Sequence, residues 1–222
     1  VVSPATFFSW SLPLAVCSVL FLFALSFFVK PRPIPPISIA NVQIAPRPFL
    51  VALGVAALIF LGVFKLIPPW VGTIAAIVVA LGVAPRIMGN VDYALVLTFV
   101  LFFVVVSDIS QVGAISHTLS ALEGDHLSVY LSALGISQFI SNVPATILLA
   151  PFTGHAQALI YGANLGGLGS LVASMANLLT FKQYCAEGSG NTRTFFAGFA
   201  ALNGLGLVVM GAIGWVLLSI MA

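Results

Sequence analysis

The stretch FISNVPATILLAPF, residues 139–152, sets hydrogen-bonding side chains and two prolines into a run that is otherwise strongly apolar. Ser and Asn are favoured where a helix N-terminus is capped, and Pro is favoured in the first helical turn, where its missing N–H has no partner to lose. Ser141, Asn142 and Pro144 therefore indicate the end of one helix and the capped start of another. Non-helical backbone at membrane depth persists only where protein buries it or where it lines a watery cavity. The sequence thus predicts a polar tip that serves as a site.

The composition places the chain in a membrane. Of its 222 residues, 61% are hydrophobic and only 5% are charged, and the mean hydropathy is +1.20. A soluble domain carries roughly 25% charged residues, so this chain cannot build a water-facing surface. We predict an integral, multi-pass protein of an inner membrane of the bacterial type. Since a crossing helix needs about 20 apolar residues, spans are expected at about 6–29, 49–67, 69–85, 91–108, 127–152, 157–181 and 194–221.

The distribution of lysine and arginine indicates how residues 127–152 lie in the membrane. Basic residues accumulate on the cytoplasmic side, which places the proline-rich linker 30–48 inside. If 127–152 crosses the bilayer, the seven basic residues divide four to three between the two faces. If it enters and leaves on the outer face, Lys182 and Arg193 fall inside and the division becomes six to one. A re-entrant hairpin is therefore favoured.

Residues 157–181 form a second interrupted span. A glycine cluster with polar flanks lies near its middle and comprises Asn164, Gly166, Gly167, Gly169 and Ser170. Each glycine inside a helix costs about 1 kcal/mol relative to alanine, so the cluster predicts an unwound point. The alternative is close helix packing, for which Gly162 and Gly166 provide a GxxxG spacing. Two interrupted elements in one half are the pattern expected at the binding site of a secondary transporter.

These interruptions are expected to bring four helix ends together. Helices over 144–152 and 170–181 would each present free N–H groups and about half a positive charge, which suits an anion without any lysine or arginine. Helices over 127–140 and 157–165 would present free carbonyl oxygens, which suit Na⁺ beside the oxygens of the tip. One site is thus expected to hold an anion and its coupling cation side by side.

Two motifs carry a family resemblance: SNVPAT at residues 141–146 and GANLGGLGS at residues 162–170. On these motifs the chain resembles the C-terminal repeat of the ion transporter superfamily, which includes citrate and dicarboxylate transporters, arsenite efflux pumps and some Na⁺/H⁺ antiporters. The resemblance extends over about 49–222 and includes the PPWV turn at 68–71. It implies an all-α integral membrane protein with scaffold helices, a re-entrant helical hairpin and a broken transmembrane helix, which together form one half of an inverted-repeat transporter.

The resemblance also implies a domain organisation. Its parts are the last helix of a preceding repeat in 1–29, a cytoplasmic linker at 30–48, scaffold helices at 49–108, an external loop at 109–126 and a transport-domain half at 127–222. That half comprises the hairpin 127–152, the broken helix 157–181 and the last helix 194–221. The expected partners are membrane lipid, a small anionic solute, the N-terminal half of the same transporter and a second copy in a homodimer. Nucleic acid is not an expected partner.

The resemblance assigns the ligand site to the hairpin tip and the broken helix. The family's Ser-Asn-Thr tip matches Ser141 and Asn142, while Val143 in the third position removes one hydroxyl, and a hydroxyl one turn earlier matches Ser137. Substrate and ion are expected at Ser137, Ser141, Asn142, Val143, Thr146, Asn164, Gly166, Gly167, Gly169 and Ser170. A Na⁺ ion is expected at Ser137, Ser141 and Asn142, with no other cofactor or metal.

The predicted function is secondary active transport of a small anion, oxyanion or carboxylate, coupled to Na⁺ or H⁺ through an elevator-type alternating-access mechanism. Two alternatives stay open: a Na⁺/H⁺ antiporter of the same superfamily, and a channel-like or structural membrane subunit. An enzyme is not expected, because nothing sets serine, histidine and aspartate in the order of a nucleophile and its base. Asn177 and Asn203 are expected to form interhelical hydrogen bonds, and His117, His126 and His155 to be scattered loop residues.

Overall fold

The structure, a computed structural model, describes residues 2–28, 46–83, 85–89, 91–121, 125–188 and 190–221. Most of the predicted linker 30–48 and part of the predicted loop 109–126 lie outside these residues. The same holds for Lys30 and Arg32, two of the basic residues on which the predicted sidedness of the linker depends.

The described residues form eleven α-helices and no strand. In chain order they are α1 (Pro4–Ser26), α2 (Pro46–Val63), α3 (Pro69–Val83), α4 (Pro85–Gly89), α5 (Tyr93–Ser110), α6 (Gly113–Ala121), α7 (His126–Ile140), α8 (Asn142–Leu149), α9 (Ala156–Gly166), α10 (Met175–Glu187) and α11 (Thr192–Met221), with a 3₁₀ turn at Ala150–Phe152. Capping side chains set several of these boundaries. The hydroxyl of Ser3 accepts a 3.1 Å hydrogen bond from the Thr6 N–H, and the carboxylate of Asp125 accepts a 2.6 Å bond from the Ser128 N–H.

Among the helices that the described residues form, three are long and apolar enough to cross a membrane, namely α1, α2 and α11. Helices α3 and α7 are apolar as well but have 15 residues each, which is fewer than the about 20 residues that a crossing requires. The helical content of the described residues and these apolar helices confirm an all-α membrane protein. The full set of spans expected from the sequence stays a prediction.

One compact unit comprises residues 30–97. In its described part, α2 and α3 pack against each other through two glycines: a Cβ on Gly62 would lie 3.2 Å from the Cα of Pro69, and a Cβ on Gly72 would lie 3.1 Å from the Cα of Ile59. Most of the large apolar side chains of the two helices are exposed. Such an outer surface suits surroundings of lipid or of other apolar helices.

The second unit comprises residues 1–29 and 98–222. Its core lies where α7, α9, α11 and α1 meet, and two buried tyrosines tie these helices together. The Tyr130 hydroxyl on α7 donates a 2.6 Å hydrogen bond to the Gly211 carbonyl oxygen on α11. The Tyr161 hydroxyl on α9 donates a 2.7 Å bond to the Trp10 carbonyl oxygen on α1. Helix α1 thus belongs to the same packed unit as α9.

Helices α7 and α9 approach each other closely through small residues. A Cβ on Gly162 would lie 2.5 Å from the Tyr130 carbonyl oxygen, and a Cβ on Gly166 would lie 2.7 Å from the Ser137 hydroxyl oxygen. The GxxxG spacing therefore serves helix packing at these two positions, which is the alternative that the sequence left open for them. This contact fixes the C-terminal end of α7 beside the end of α9, where both interruptions lie.

Candidate functional site

The tip between α7 and α8 is a single residue, Ser141, with φ 73° and ψ 152°. The ascending half-helix was expected to begin at Pro144, but it begins at Asn142, so Pro144 is buried in the first helical turn. A proline fits there because the N–H groups of the first turn have no partner within the helix. Backbone angles near those of Ser141 are rare for residues other than glycine and cost about 1–3 kcal/mol. Neighbouring contacts must therefore hold the tip in place.

The second interruption separates α9 from α10. Helix α9 ends at Gly166 and α10 begins at Met175, five residues later than the expected restart at Ser170. The Ser174 hydroxyl provides the cap of α10 and accepts a 3.3 Å hydrogen bond from the Asn177 N–H. We refer to the non-helical residues 167–174 as the break.

The tip and the break are joined by main-chain and side-chain contacts. The Asn142 N–H donates a 2.9 Å hydrogen bond to the Ala173 carbonyl oxygen, and the Ser141 hydroxyl lies 3.5 Å from the same oxygen. The Asn142 carboxamide nitrogen lies 3.2 Å from the position that a Cβ on Gly167 would occupy. Among the described residues this carboxamide makes no hydrogen bond, and it is half-buried. It is thus a polar group at the tip with bonding capacity left for a ligand.

Gln138, on α7, makes several hydrogen bonds to the end of α9 and to the break, a role that was not predicted from the sequence. Its Nε2 donates to the carbonyl oxygens of Leu134, Gly166 and Leu168 at 3.0, 2.8 and 3.1 Å. Its Oε1 accepts a 2.9 Å bond from the Ser170 N–H, and its own carbonyl oxygen accepts a 2.8 Å bond from the Ser170 hydroxyl. A glutamine inside an apolar half-helix needs partners because an unpaired polar group in lipid is costly, and that was the available signal.

Asn177, in the first turn of α10, also bonds carbonyl oxygens of the break. Its Nδ2 donates 2.9 Å bonds to the carbonyl oxygens of Gly167 and Ser170. The expectation of an interhelical bond is therefore wrong in detail, since Asn177 bonds to the non-helical segment just before its own helix. Asn203 also differs from the expectation, because its Nδ2 donates to the Phe199 carbonyl oxygen of its own helix at 3.1 Å.

Most of the predicted site residues lie at the contact between tip and break. Ser137 is fully buried against Gly166 and donates a 2.6 Å bond to the Ala133 carbonyl oxygen. Gly169 has φ +101°, and a Cβ there would collide with Oε1 of Gln138. The predicted residues that the structure brings together here are Ser137, Ser141, Asn142, Gly166, Gly167, Gly169 and Ser170.

Three predicted site residues lie apart from these contacts. Val143 is 45% exposed. The Thr146 hydroxyl donates a 2.7 Å bond to the Asn142 carbonyl oxygen within α8. Asn164 is exposed, donates a 2.8 Å bond to the Ile160 carbonyl oxygen, and lines a cavity of about 350 Å³ together with residues of α1. The side chains of these three residues make no hydrogen bond between the tip and the break in the described part of the chain.

Asp125, His126 and His155 lie at the starts of α7 and α9, which are the helix ends opposite to the tip and the break. The Ser128 N–H hydrogen-bonds the Asp125 carboxylate and lowers its pKa below the usual value, with a smaller lowering from His155. The rings of His126 and His155 lie 4.1 Å apart, so these two histidines form a pair rather than scattered loop residues. Within the described ranges, no three His, Cys, Asp or Glu side chains are grouped as a metal site.

The chain is similar in sequence to an inner membrane protein and to a transporter. Inner membrane protein YbiR of Escherichia coli (strain K12) is 34% identical over 151 residues, which cover 65% of this chain and 38% of that protein. Uncharacterized transporter MJ0456 of Methanocaldococcus jannaschii is 41% identical over 93 residues, which cover 42% of this chain and 26% of that protein. The chain thus spans less than half of either relative. No protein-family profile and no solved structure matches it. The similarity to an inner membrane protein agrees with the predicted membrane localisation.

Proposed function

We propose that this chain is half of a secondary active transporter and that the tip and the break form its share of the solute site. The observation that carries the proposal is the 2.9 Å bond from the Asn142 N–H to the Ala173 carbonyl oxygen. Ala173 lies two residues before α10, and Asn142 is the first residue of α8. The bond therefore brings two helix N-termini to one point, as the pattern of two interrupted elements predicts.

The chemistry of this point suits a small anion. Among the described residues, the N–H groups of Val143, Met175 and Ala176 have no hydrogen-bond acceptor, and they belong to the first turns of α8 and α10. Free N–H groups at a helix start, with the positive end of the helix dipole, favour anions. The unpaired Asn142 carboxamide adds a further donor. An oxyanion or a carboxylate matches this set of neutral donors.

The lengths of the helices favour a hairpin that does not cross the membrane. At 1.5 Å per residue, α7 is about 22 Å long and α8 about 12 Å, whereas the hydrocarbon core is about 30 Å thick. Each half is therefore too short to cross by itself, which supports a tip that ends inside the bilayer. The six-to-one division of basic residues favours the same arrangement.

The remaining parts of the proposal follow from the resemblance to the ion transporter superfamily. The tip and the break are bonded to each other, so residues 127–181 are expected to move as one body in an elevator-type cycle. Residues 49–108 are expected to form the scaffold and to carry the contact of a homodimer in the inner membrane. We further propose that solute transport is coupled to Na⁺ or H⁺ and that the N-terminal half of the same transporter provides the rest of the site.

Solute flux into liposomes containing the complete protein tests this proposal. We expect saturable uptake of one member of a panel of oxyanions, monocarboxylates and dicarboxylates, driven by an imposed Na⁺ or H⁺ gradient. Flux that rises linearly with solute concentration would favour a channel-like subunit instead. Exchange of Na⁺ for H⁺ without any solute would favour an antiporter, and the absence of all flux would favour a structural role.

A further inference from the structure

Side-chain amides occupy the points in the break where carbonyl oxygens converge. The Nε2 of Gln138 has three carbonyl oxygens within 3.1 Å, and the Nδ2 of Asn177 has two at 2.9 Å. Four of these five oxygens belong to residues 166–170, at the end of α9 and in the break. The last carbonyl oxygen of α9, at Gly166, and those of Gly167, Leu168 and Ser170 in the break therefore already have donors.

Converging carbonyl oxygens are the means by which unwound transporter helices hold Na⁺. An NH₂ group at the same point directs two partially positive hydrogens toward those oxygens and so satisfies them without an ion. Each carbonyl oxygen has a second lone pair, but a cation placed at the convergence point would face these hydrogens and be repelled. The amide and the cation are thus alternatives at one position.

The two hydroxyl groups expected to bind Na⁺ donate their protons to main-chain carbonyl oxygens, so that a cation could approach only the lone pairs of their oxygens. The Ser137 hydroxyl donates to the Ala133 carbonyl oxygen at 2.6 Å and is fully buried. The Ser141 hydroxyl is directed at the Ala173 carbonyl oxygen, 3.5 Å away. Of the three residues predicted to bind sodium, only Asn142 has a side chain without a hydrogen bond in the described part of the chain.

We propose that the carboxamides of Gln138 and Asn177 take the place of a coupling cation, so that this half of the protein forms its break and binds solute without Na⁺. The part of the proposal that concerns solute rests on the proposed transport function, whereas the part that concerns the break does not. The coupling ion of the transporter is then either a proton or a Na⁺ held by another part of the protein.

Thermal unfolding of the complete protein in detergent, with NaCl replaced stepwise by choline chloride at constant ionic strength, tests the structural part. We expect any dependence of Tm on Na⁺ to be the same in the parent and in Asn142→Ala. A Na⁺ site with a Kd a hundredfold below the Na⁺ concentration would raise Tm by about 5 °C or more. A saturable rise of that kind, lost on Asn142→Ala, would overturn the proposal.

Gln138→Glu converts the amide into a carboxylate of the same shape. One oxygen still accepts the Ser170 N–H, while the other now faces the carbonyl oxygens of Gly166 and Leu168. We expect the variant to have a lower Tm than the parent in choline at pH 8, and to recover with Na⁺ or on acidification. Gln111→Glu, at an exposed glutamine, is the matched control and should not acquire a Na⁺ dependence.

Asn177→Asp provides a second test at an independent position and is judged by the same criterion. If either variant is as stable as the parent in choline, or if neither recovers with Na⁺ or acid, the amides do not replace a cation. Failure of the transport proposal shows itself differently, as absent flux in liposomes while the effects of Na⁺ on the Tm of the parent and of the variants stay as expected. Saturable solute uptake driven by a H⁺ gradient in the absence of Na⁺ would support both proposals.

Discussion

The main-chain N–H of Asn142 donates a 2.9 Å hydrogen bond to the carbonyl oxygen of Ala173, which joins the start of α8 to the last turn of chain before α10. The two residues are 31 positions apart, and each belongs to a different interruption. Because the bond uses only main-chain atoms, it does not depend on the Asn142 side chain. The side chain is therefore available to a ligand, and substitution of Asn142 can test the proposed site without breaking this bond.

Asn142→Ala should weaken anion binding and leave the fold intact. The lost carboxamide makes no hydrogen bond in the described part of the chain, so Tm should stay near that of the parent. A hydrogen bond from this amide to a charged ligand contributes about 1.5–3 kcal/mol, or roughly a tenfold to hundredfold change in Kd. Binding titrations with the transported solute check this. Asn164→Ala is the control, and unchanged affinity in Asn142→Ala would place the site elsewhere.

Asn177→Ala should lower stability. The substitution leaves the carbonyl oxygens of Gly167 and Ser170 without their donor inside the break, and unsatisfied buried groups cost about 1–3 kcal/mol. Thermal unfolding measures the loss. Asn203→Ala is the matched control, because that side chain bonds only to its own helix; there we expect a change within about 0.5 kcal/mol. Equal effects of the two substitutions would contradict a structural role of Asn177 in the break.

Gly169→Ala should disrupt the break. The backbone at Gly169 has φ +101°, and the added methyl group would collide with Oε1 of Gln138. Strain of this kind costs about 1–3 kcal/mol, and displacement of Gln138 adds to it. Gly135→Ala is the control on the same helix as Gln138, since a Cβ there meets open space and alanine is the better helix former. A lower Tm for Gly169→Ala alone is expected, and equal Tm values would exclude the collision.

The stability of the first turn of α7 should depend on pH because of Asp125. The N–H bond from Ser128 lowers the pKa of Asp125 in the folded state, so its contribution to stability is present above the unfolded value of about 3.9 and is lost as pH falls through the lower folded pKa. Amide exchange in the first turn of α7, corrected for intrinsic rates, should accelerate in that acid range. Asp125→Asn keeps the capping oxygen without titrating and should remove the acceleration; persistence of the effect would assign it to another group.

Leu127→Cys and Gly154→Cys should both react with an impermeant thiol reagent from the same, outer side of the membrane. The two positions flank the predicted hairpin, and a Cβ at Gly154 meets open space. Cys17 and Cys185, which are free thiols, are first replaced by alanine or serine. Labelling of the two engineered positions from opposite sides would show that residues 127–152 cross the bilayer.

Much of the fold could be predicted from the sequence because its signals are local. The charge content and the apolar runs predict a membrane protein, and the capping chemistry of Ser141 and Asn142 predicts a helix boundary within two residues of the observed one. The role of Gln138 depends on which residues lie opposite it across 28 to 32 positions of chain, and no local pattern contains that information. The delayed start of α10 has the same origin, since Asn177 bonds the carbonyl oxygens of the break and Ser174 provides the cap.

Pro144 has a consequence for how the protein is inserted into the membrane. A continuous helix through the tip would put its ring against the carbonyl oxygen of Ile140, four residues earlier, and would lack one hydrogen bond. Without that obstacle, the 24 residues from His126 to Leu149 would extend over about 36 Å as one helix, which is enough to cross the hydrocarbon core. In the proposed arrangement, everything after residue 152 would then emerge on the other side. In that arrangement, Pro144 disfavours the continuous helix that would place the later residues on the other side of the membrane during synthesis.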